Sequence, residues 1–525
     1  NLLALFSRGL HNVPPVVGYS ILFCSYGAFI QGRHVIFNVR VAEKLTAAGH
    51  NVTLVLLKMF KFEKERQLQT NMTVLPWEMY VMDWEKESHP EINFKELSVW
   101  EARTLLAQKL GIFPASCEKM LKDAEFIERL RAEQFDVAFL PMFDLCTVGI
   151  VKHIGIDAWI WLNTGRLMDY VAYYIGLPSP PSYVPPMMSD LPGNMTFLQR
   201  VKSFLGWTMT MLIYERSVVV QENALFRKYI DRNFPDLTEV ARMCPLVMVN
   251  SDELYDQARP TFHKVINIGG IGMTHGDQKP LEGEFKKIVD EASNVVVMTM
   301  GSHAQLSAMP EKWKLAFMNA FRKFDDHHFI LRYESDDLNA KKPNNVHFSK
   351  WIPQNDLLHH PKTRLLITHG GYNSVQEAIH AGVPLIALTL FGDQFTNGRI
   401  VERHGIGRVL RKSEIDEQRI TELLTNLLRD RKYKDAAERM RHMIEKRPES
   451  VEDRLLAWTE FVVEFKPLDN LTPYAVQLGF IQYHCLDVIA FLALCILLVA
   501  LIIFLLIKMV VKILRIPLSR KQKTQ

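Results

Sequence analysis

The sequence predicts an α/β protein that contains two doubly wound parallel sheets and, close to its C-terminus, one helix that spans a membrane. Three observations support this prediction: a length of 525 residues, apolar runs that alternate with helical patterns in both halves, and a long segment without charge. A chain of this length exceeds one ordinary domain. Alternating strands and helices are typical of a parallel sheet that helices cover on both faces.

Short apolar runs in the first half have the length and composition of buried strands. The helical pattern of residues 39–48 lies between the first two runs and stops at Gly49, since glycine is favoured directly after a helix. We therefore expect a first domain over residues 19–265, after an N-terminal segment (1–18) that is compatible with the remnant of a signal sequence. The predicted strands are 19–24, 52–57, 136–141, 156–161 and 246–250.

A second domain is expected over residues 281–451, after a linker at 266–280. The linker contains three glycines between residues 269 and 272, but polar residues rather than a helix follow them, which argues against a dinucleotide-binding turn. Residues 294–302 then predict a strand that ends in a Gly-Ser turn. The second half thus repeats the pattern of the first.

The stretch 351–397 combines an aromatic residue, a Gly-Gly turn, a carboxylate on a helix and an Asp-Gln pair. Residues 364–372 predict a buried strand and a tight turn, and 375–381 predict a helix whose N-cap position is taken by Asn373 and Ser374. A helix that starts in this way offers free N–H groups and the positive end of its dipole to a diphosphate.

Two further parts of this stretch suit a nucleotide sugar. Glu377 lies one turn into the predicted helix, within reach of ribose hydroxyls. Asp393 and Gln394 follow the apolar run 384–390, which places them at the carboxyl end of a strand, where open α/β sheets bind ligands.

Residues 488–507 carry no charge and would form a helix about 30 Å long, enough to cross the hydrocarbon core of a bilayer. Six basic residues and no acidic ones follow, so the positive-inside rule places the tail 508–525 in the cytoplasm and the preceding chain on the lumenal or extracellular side. We assign the membrane helix to 485–507 and a cross-back helix with a juxtamembrane segment to 452–484. Four N-glycosylation sequons agree with this orientation, although Asn51 enters a predicted core strand and is not expected to be modified; they are Asn51, Asn71, Asn194 and Asn470.

Composition argues against several other classes of site. The formal charge is only +4, from 62 basic and 58 acidic residues, so no nucleic-acid partner is expected. The six cysteines lack CxxC spacing, which predicts no zinc site and mostly buried thiols, and implies no disulfide framework. The histidines at 327–328 and 359–360 are contiguous pairs that cannot easily face one ion, so no metal site is expected.

The stretch 351–397 resembles the donor-binding signature of the UDP-glycosyltransferases, whose fold is GT-B, two Rossmann-like domains that face a cleft. Two departures, Thr389 and His359, do not remove a ligand. The resemblance implies these contacts with the donor: uracil on Trp351; base and ribose beside Gln354; diphosphate at Ser302, His369, Gly371, Asn373 and Ser374; ribose at Glu377; sugar hydroxyls at Asp393 and Gln394.

The candidate base is His34, which follows the first predicted strand and begins the helix that leads to Gly49. The resemblance implies a catalytic histidine at this place. Such a histidine needs a carboxylate on its other ring nitrogen. Pro141 stands where vertebrate relatives have this aspartate, and Asp144 is the nearest acid that could replace it. A loop or helix-cap role for Asp144 is an equal alternative.

The resemblance implies an inverting enzyme that transfers a hexose from a UDP-sugar to a small lipophilic alcohol, phenol or acid, as animal detoxification enzymes do. It implies no cofactor, because the UDP-sugar is a co-substrate. It also implies that the transfer needs no metal. The proline-rich loop 177–186 is similar to that of invertebrate, especially nematode, members, and because invertebrate members commonly use UDP-glucose, the resemblance favours glucose. The alternatives are a glucuronosyltransferase, a glycolipid-synthesising enzyme, and a non-catalytic UDP-sugar-binding membrane protein, which Pro141 permits.

The expected location is the endoplasmic reticulum membrane, as a single-pass type I glycoprotein with lumenal domains. Lys521 and Lys523 resemble a dilysine retrieval signal, and a basic tail that contacts anionic lipid is the alternative. Residues 195–220 predict either an amphipathic helix that enters the membrane or a pair of core helices, with equal support. The expected partners are therefore the donor, the acceptor and the bilayer, and a homo- or hetero-oligomer is compatible with the sequence.

Overall fold

The computed structural model describes residues 18–27, 33–61, 70–83, 90–273, 278–301 and 304–514. The side chains of residues 33, 34, 99, 100 and 102 lie outside this description, and so do three predicted features: the N-terminal segment up to residue 17, Ser302 and the dilysine motif. The chain forms two compact units, Asn1–Thr472 and Pro473–Gln525.

The first half contains a seven-stranded sheet in which every ladder is parallel. Its strands are β1 (Ser20–Tyr26), β2 (Asn51–Lys61), β3 (Thr73–Asp83), β4 (Val137–Pro141), β5 (Trp159–Asn163), β6 (Leu246–Val249) and β7 (Val265–Asn267). They lie in the order β3-β2-β1-β4-β5-β6-β7. The order reverses between β1 and β4, and a reversal of this kind opens a crevice at the carboxyl ends of the strands.

The second half repeats this arrangement with a six-stranded, fully parallel sheet. Its strands are β8 (Asn294–Thr299), β9 (His327–Arg332), β10 (Val346–Ser349), β11 (Thr363–Thr368), β12 (Leu385–Thr389) and β13 (Gly407–Arg411). They lie in the order β10-β9-β8-β11-β12-β13, so the reversal falls between β8 and β11.

Helices connect the strands and cover both sheets. In the first half they are α1 (Arg33–Ala47), α2 (Val99–Lys122), α3 (Ala124–Ala132), α4 (Cys146–Ile154), α5 (Asp169–Tyr174), α6 (Phe197–Tyr214), α7 (Val220–Tyr229) and α8 (Leu237–Arg242). In the second half they are α9 (Gly283–Glu291), α10 (Glu311–Phe321), α11 (Gln354–Leu358), α12 (Tyr372–Ala381), α13 (Gln394–Arg403), α14 (Glu417–Arg429), α15 (Arg431–Glu445) and α16 (Val451–Phe465). The second unit contains α17 (Phe480–Tyr483) and α18 (Leu486–Leu514).

The central strands are buried on both faces, as parallel strands between two helical layers must be. Every residue of β4, β5 and β6 is buried. Each sheet has one apolar cluster on each face. Helix α16 follows the second half in sequence, yet Val451, Leu455 and Val462 belong to the same cluster as Ile21 and Val52 of the first sheet.

Five strands were absent from the sequence-based prediction, β3 and β7 of the first sheet and β9, β10 and β13 of the second. Strand β3 is an edge strand that contains Pro76 and Glu78, and its mixed exposure hides the apolar pattern expected of a buried strand. Strand β7 has only three residues, so periodicity cannot reveal it. It also extends the first sheet to Asn267, two residues past the domain end expected at 265.

Helix α18 has the length and composition of a membrane span. It has 29 residues, and its most apolar 18-residue window has a mean hydropathy of 3.5 with no residue buried in the protein. The helix continues past the uncharged segment to Leu514 and includes Lys508 and Lys512. Long basic side chains at the end of a span can extend to the lipid headgroups.

A disulfide joins Cys117 of α2 to Cys146 at the start of α4. The sequence predicted mostly buried thiols, and that prediction was wrong for this pair because cysteines 29 positions apart give no spacing signal. It was correct for Cys24 and Cys244, which are free and buried. Burial raises the pKa of both thiols to about 12, so neither is a reactive nucleophile.

Candidate active site

The turn between β11 and α12 forms the centre of the candidate donor site. Gly370 adopts a φ of +79°, which glycine tolerates best, and Gly371 is the residue that precedes the helix. Helix α12 therefore begins at Tyr372, and the predicted N-cap at Asn373 and Ser374 was wrong. These two residues lie in the first turn, and no side chain caps it, which suits a site for an anion.

Three of the predicted donor residues form one hydrogen-bonded group. Nε2 of Gln354 donates to Oε2 of Glu377 at 2.7 Å and to Oγ of Ser374 at 3.3 Å. Burial raises the pKa of Glu377, while the charge of Arg40 and the hydrogen bond from Gln354 offset part of this effect. The structure thus joins helix α11 to the first turns of α12 at the position predicted for ribose.

Arg40 is a residue of this site that sequence analysis missed. It lies in α1, the helix that begins next to His34, and its charge acts on Glu377 of the second half. Its Nη1 is buried without a hydrogen-bond partner among the described residues. A Cβ at Gly272, where φ is +69°, would lie 2.8 Å from Cδ of Arg40. A lone arginine between Val39 and Val41 in the predicted helix was the only available signal.

Trp351 presents an aromatic surface at the predicted uracil position. Its side chain is 44% exposed, unusually high for tryptophan in a domain with a large core. The guanidinium of Arg332 lies 5.1 Å from its ring centroid. Arg332 is held in turn by a hydrogen bond from Nη1 to the carbonyl of Gly301 at 3.0 Å. One face of the indole thus carries a cation–π contact.

His369 is enclosed at the end of β11. It is 1% exposed, and its Nδ1 lies 3.2 Å from Oγ1 of Thr368. Gly301, with φ of +69°, packs against the imidazole so closely that a Cβ there would be 2.5 Å from Cε1. Strands β8 and β11 are neighbours in the sheet, and this glycine and histidine pack together just after their carboxyl ends. Ser302, predicted to contact the diphosphate, is outside the described residues.

Asp393 and Gln394 lie at the carboxyl end of β12, as predicted. Oδ2 of Asp393 accepts a hydrogen bond from Nδ2 of Asn397 at 2.9 Å, and the same amide donates to the carbonyl of Gly370 at 3.0 Å. Oε1 of Gln394 accepts the backbone N–H of Leu390 at 2.8 Å. Nε2 of Gln394 is buried without a partner among the described residues, so it is free to donate to a ligand.

The first and second halves are joined directly at the donor turn. Nδ2 of Asn250, which follows β6, donates to Oδ1 of Asn373 at 3.1 Å. The hydroxyls of Ser251 and Tyr372 lie 2.7 Å apart. Sequence analysis did not identify Asn250 and Ser251, because only the fold brings the end of β6 to the start of α12. These contacts bring the end of β6 against the helix start that is predicted to bind the diphosphate.

His34 lies in the first turn of α1, directly after the carboxyl end of β1, and its side chain is outside the described residues. The candidate partner Asp144 follows β4 and is fully buried. Its Oδ2 accepts a hydrogen bond from the hydroxyl of Tyr26 at the end of β1. Its Oδ1 has no hydrogen-bond partner among the described residues. The structure thus brings Asp144 to the strand that precedes His34, with one acceptor oxygen still free.

A second buried acid, Glu222 of α7, was missed by sequence analysis. It is fully buried, and its Oε2 accepts the backbone N–H of Leu145 at 3.0 Å, next to Asp144. Burial raises the pKa of Asp144, and burial together with the charge of Asp144 raises that of Glu222. The effect of Asp144 on Glu222 disfavours a state in which both carboxyls are charged. The only sequence signal was one glutamate within a largely helical stretch.

Solved structures with the same architecture identify the fold. The glycosyltransferase of kitacinnamycin aligns with a TM-score of 0.58 at 14% identity over 85% of this chain and 98% of its own. The forosaminyltransferase SpnP aligns with a TM-score of 0.54 at 16% identity over 85% and 99%. At this identity the likeness concerns the fold alone. Two facing Rossmann-like sheets of this kind form the GT-B fold, as the sequence predicted.

The family follows from sequence comparison. The family model "UDP-glucoronosyl and UDP-glucosyl transferase" matches residues 30–524, so the chain belongs to that family. The human UDP-glucuronosyltransferase 1A5 is 30% identical over 481 residues, 90% of this chain and 88% of its own. The protein ugt-47 of Caenorhabditis briggsae, a UDP-glucuronosyltransferase by name, is 30% identical over 495 residues, 91% and 90% of the two chains. The chain is therefore a glycosyltransferase of a family that includes animal UDP-glucuronosyltransferases.

Proposed function

We propose that this enzyme transfers glucose from UDP-glucose to the hydroxyl of a small lipophilic acceptor, with inversion at the anomeric carbon and without a metal. The observation that carries the proposal is the group formed by Gln354, Ser374 and Glu377 at the first turns of α12. It offers a carboxylate to the ribose diol one turn away from a helix start that suits a diphosphate. Trp351 would stack on uracil.

The donor's leaving group is stabilised by the chain itself in this proposal. As the bond between the anomeric carbon and the diphosphate breaks, the electron pair moves to UDP. The N–H groups and the dipole at the start of α12 then stabilise the added negative charge, and His369 lies beside them. In metal-dependent transferases a divalent cation stabilises the negative charge on the departing diphosphate, and here the start of α12 would do so.

The acceptor is activated from the first domain. The imidazole of His34 takes the proton from the acceptor hydroxyl while its oxygen attacks the anomeric carbon from the face opposite UDP, which inverts the configuration. Asp144 holds the imidazole through its second nitrogen, as the free Oδ1 allows. The hydroxyl of Tyr26 holds Asp144 in place by donating a hydrogen bond to its Oδ2. Asp144, in the loop after β4, then orients the imidazole of His34, which Pro141 cannot do.

The charge near the predicted sugar position favours a neutral hexose. Asp393 would repel the carboxylate of glucuronate, since the hydrogen bond that its side chain accepts comes from the neutral Asn397 and leaves its charge unpaired by that partner. The names of the human and nematode relatives favour UDP-glucuronate instead. We therefore keep UDP-glucuronate as the second candidate donor.

We also propose a type I orientation in the endoplasmic reticulum membrane. The disulfide between Cys117 and Cys146 supports an oxidising compartment for the folded unit. The asparagines of all four sequons, Asn51 included, are exposed and therefore accessible to glycosylation. The basic residues after the span support a cytoplasmic tail.

UDP release from UDP-glucose and from UDP-glucuronate, measured on the purified full-length chain with a panel of phenols, tests the proposal. We expect acceptor-dependent release with UDP-glucose, and a rate unchanged by EDTA. UDP binding without release for any acceptor would support the non-catalytic alternative. Release with UDP-glucuronate alone would reassign the donor, and activity only with membrane lipids would favour a glycolipid-synthesising enzyme.

A further inference from the structure

Glu222 of α7 is a fully buried acid that bonds to the turn carrying Asp144. Its Oε2 accepts the backbone N–H of Leu145 at 3.0 Å. Leu145 is the N-cap of α4, and its own side chain makes no capping hydrogen bond. The free N–H groups of a buried helix start need partners, and Glu222 supplies one from a position 77 residues further along the chain.

A π-helical turn directly before α7 precedes Glu222. This turn, Glu215–Val219, joins α6 to α7 in one continuous helix. Only two of the 18 residues of α6 are buried, so the core-helix alternative for residues 195–220 is wrong, whereas α7 buries three of its ten. Because a π turn contains more residues than an α turn, it changes the direction that later side chains face. Such turns are rare and are frequently found at functional sites.

The turn that carries Asp144 is held by three separate elements. Tyr26 at the end of β1 donates to Asp144 itself, and the disulfide of Cys146 ties the start of α4 to α2. Glu222 provides the third attachment, from α7. These attachments leave Oδ1 of Asp144 without a hydrogen-bond partner among the described residues. The turn is therefore fixed while one acceptor oxygen stays available to a ring nitrogen of His34.

Glu222 can hold the turn without adding a second negative charge. Burial and the charge of Asp144 raise the pKa of Glu222, which favours its protonated form. A protonated carboxyl still accepts the N–H of Leu145 through its carbonyl oxygen. The groups that act on the pKa of either acid include no lysine, arginine or histidine of the described residues. The charge of Asp144 is thus left to pair with an imidazolium at His34.

We propose that Glu222 is a positioning residue of the transfer reaction, whose carboxyl holds the turn after β4 so that Asp144 meets the imidazole of His34. This inference rests on the function proposed above, because it requires that Asp144 orients His34. Glu222 touches no substrate and acts only through Asp144. Its loss should therefore slow the transfer without weakening the binding of UDP, whose predicted contacts lie in the second domain.

The test measures kcat for acceptor-dependent UDP release from UDP-glucose, together with UDP affinity by titration. Glu222→Leu leaves the buried N–H of Leu145 unpaired and should lower kcat by about tenfold or more, with UDP affinity within about twofold of wild type. Glu222→Gln has the shape of the protonated acid, keeps the acceptor oxygen and should restore kcat to within about threefold of wild type. Gln221→Leu, at the exposed neighbour in α7, is the matched control and should behave as wild type.

A second variant and a second background complete the design. Glu222→Asp withdraws the carboxyl by one methylene and should lower kcat at least about threefold, which keeps the test decisive if Glu222→Leu does not fold. In the background Asp144→Asn, Glu222→Leu should lower kcat by less than about twofold further, because both residues serve one orientation of His34.

Several outcomes would overturn the inference: a wild-type kcat in Glu222→Leu or Glu222→Asp, a loss in Glu222→Gln as large as in Glu222→Leu, or full additivity with Asp144→Asn. Parallel losses of kcat and UDP affinity would also overturn it, since they indicate a merely structural role. His34→Ala in the same assay separates these results from a failure of the proposed function. A slow His34→Ala beside a wild-type Glu222→Leu rejects the role of Glu222 alone, whereas a full rate in His34→Ala rejects the proposed mechanism.

Discussion

At the scale of single residues, the proposed function rests on three acids whose surroundings raise their pKa, Glu377, Asp144 and Glu222. Glu377 is stabilised in the donor site by Gln354 and by the charge of Arg40. Asp144 accepts a hydrogen bond from the hydroxyl of Tyr26, and its charge acts on the buried Glu222. The first carboxyl is arranged to accept hydrogen bonds from a ligand, whereas the other two perturb each other's protonation.

Replacing Glu377 by glutamine should weaken UDP binding by about tenfold or more, because a charged acceptor for the ribose diol contributes about 1.5–3 kcal/mol. Isothermal titration of UDP measures the effect. Glu438→Gln, on an exposed glutamate of α15, is the matched control and should leave the affinity unchanged. Equal affinities for wild type and Glu377→Gln would remove Glu377 from the donor site.

The buried pair predicts a pH dependence of stability. Because the pKa of Glu222 is raised in the folded state, the native protein binds more protons than the unfolded chain above the ordinary carboxyl range. Stability should therefore fall as pH rises from 5.5 to 8. Glu222→Gln should flatten this dependence, measured as Tm at both pH values, and its Tm at pH 8 should equal or exceed that of wild type. A variant with the wild-type slope would contradict a raised pKa of Glu222 in the folded protein.

At the scale of elements, the strand–turn–helix unit of β11 and α12 is the centre of the proposed donor site, and Gly301 after β8 packs against its His369. The sequence was sufficient to predict this unit because the glycines, the apolar strand and the helix pattern are all local. The sequence did not predict where the helix starts. Asn373 and Ser374 have side chains that commonly cap helices, but the N-cap is Gly371, which has no capping side chain, and the helix starts at Tyr372.

The contact between Gly301 and His369 gives an element-scale prediction. Gly301→Ala introduces a Cβ that must displace the imidazole, and it strains a residue with φ of +69° by about 1–2 kcal/mol. Both stability and UDP affinity should fall. Gly405→Ala is the matched control, since Gly405 has φ of +65° with nothing within 4 Å of its Cβ, and only stability should fall. Unchanged UDP affinity in Gly301→Ala would exclude His369 from the diphosphate contacts.

At the scale of the whole molecule, the two sheets and the C-terminal apolar helix could be predicted because strand–helix alternation and hydropathy are carried by neighbours in sequence. The remaining features depend on distant residues. Cys117 reaches Cys146, and Asn250 reaches Asn373, only after the chain has folded, and only then does the charge of Arg40 act on Glu377. A single sequence records no pairing between such positions, so these contacts could not be found from it.

The orientation of the chain gives a whole-molecule prediction. In intact microsomes the folded unit should resist protease while an epitope after Leu514 is digested, and endoglycosidase should reduce the apparent mass. Non-reducing electrophoresis should show the disulfide, and Cys117→Ser/Cys146→Ser should lower stability by about 2–4 kcal/mol. Digestion of the folded unit together with the tail would contradict the lumenal location.

The most direct test of the proposed mechanism compares wild type and His34→Ala in two assays on the same preparation, UDP titration and acceptor-dependent UDP release. The expected result is a UDP affinity that changes by less than about twofold, and a release rate that falls by about 10²–10⁴, the contribution of a general base. His442→Ala, at an exposed histidine of α15, should behave as wild type. A His34→Ala enzyme with the full rate, or a wild-type chain that binds no UDP, would contradict the account.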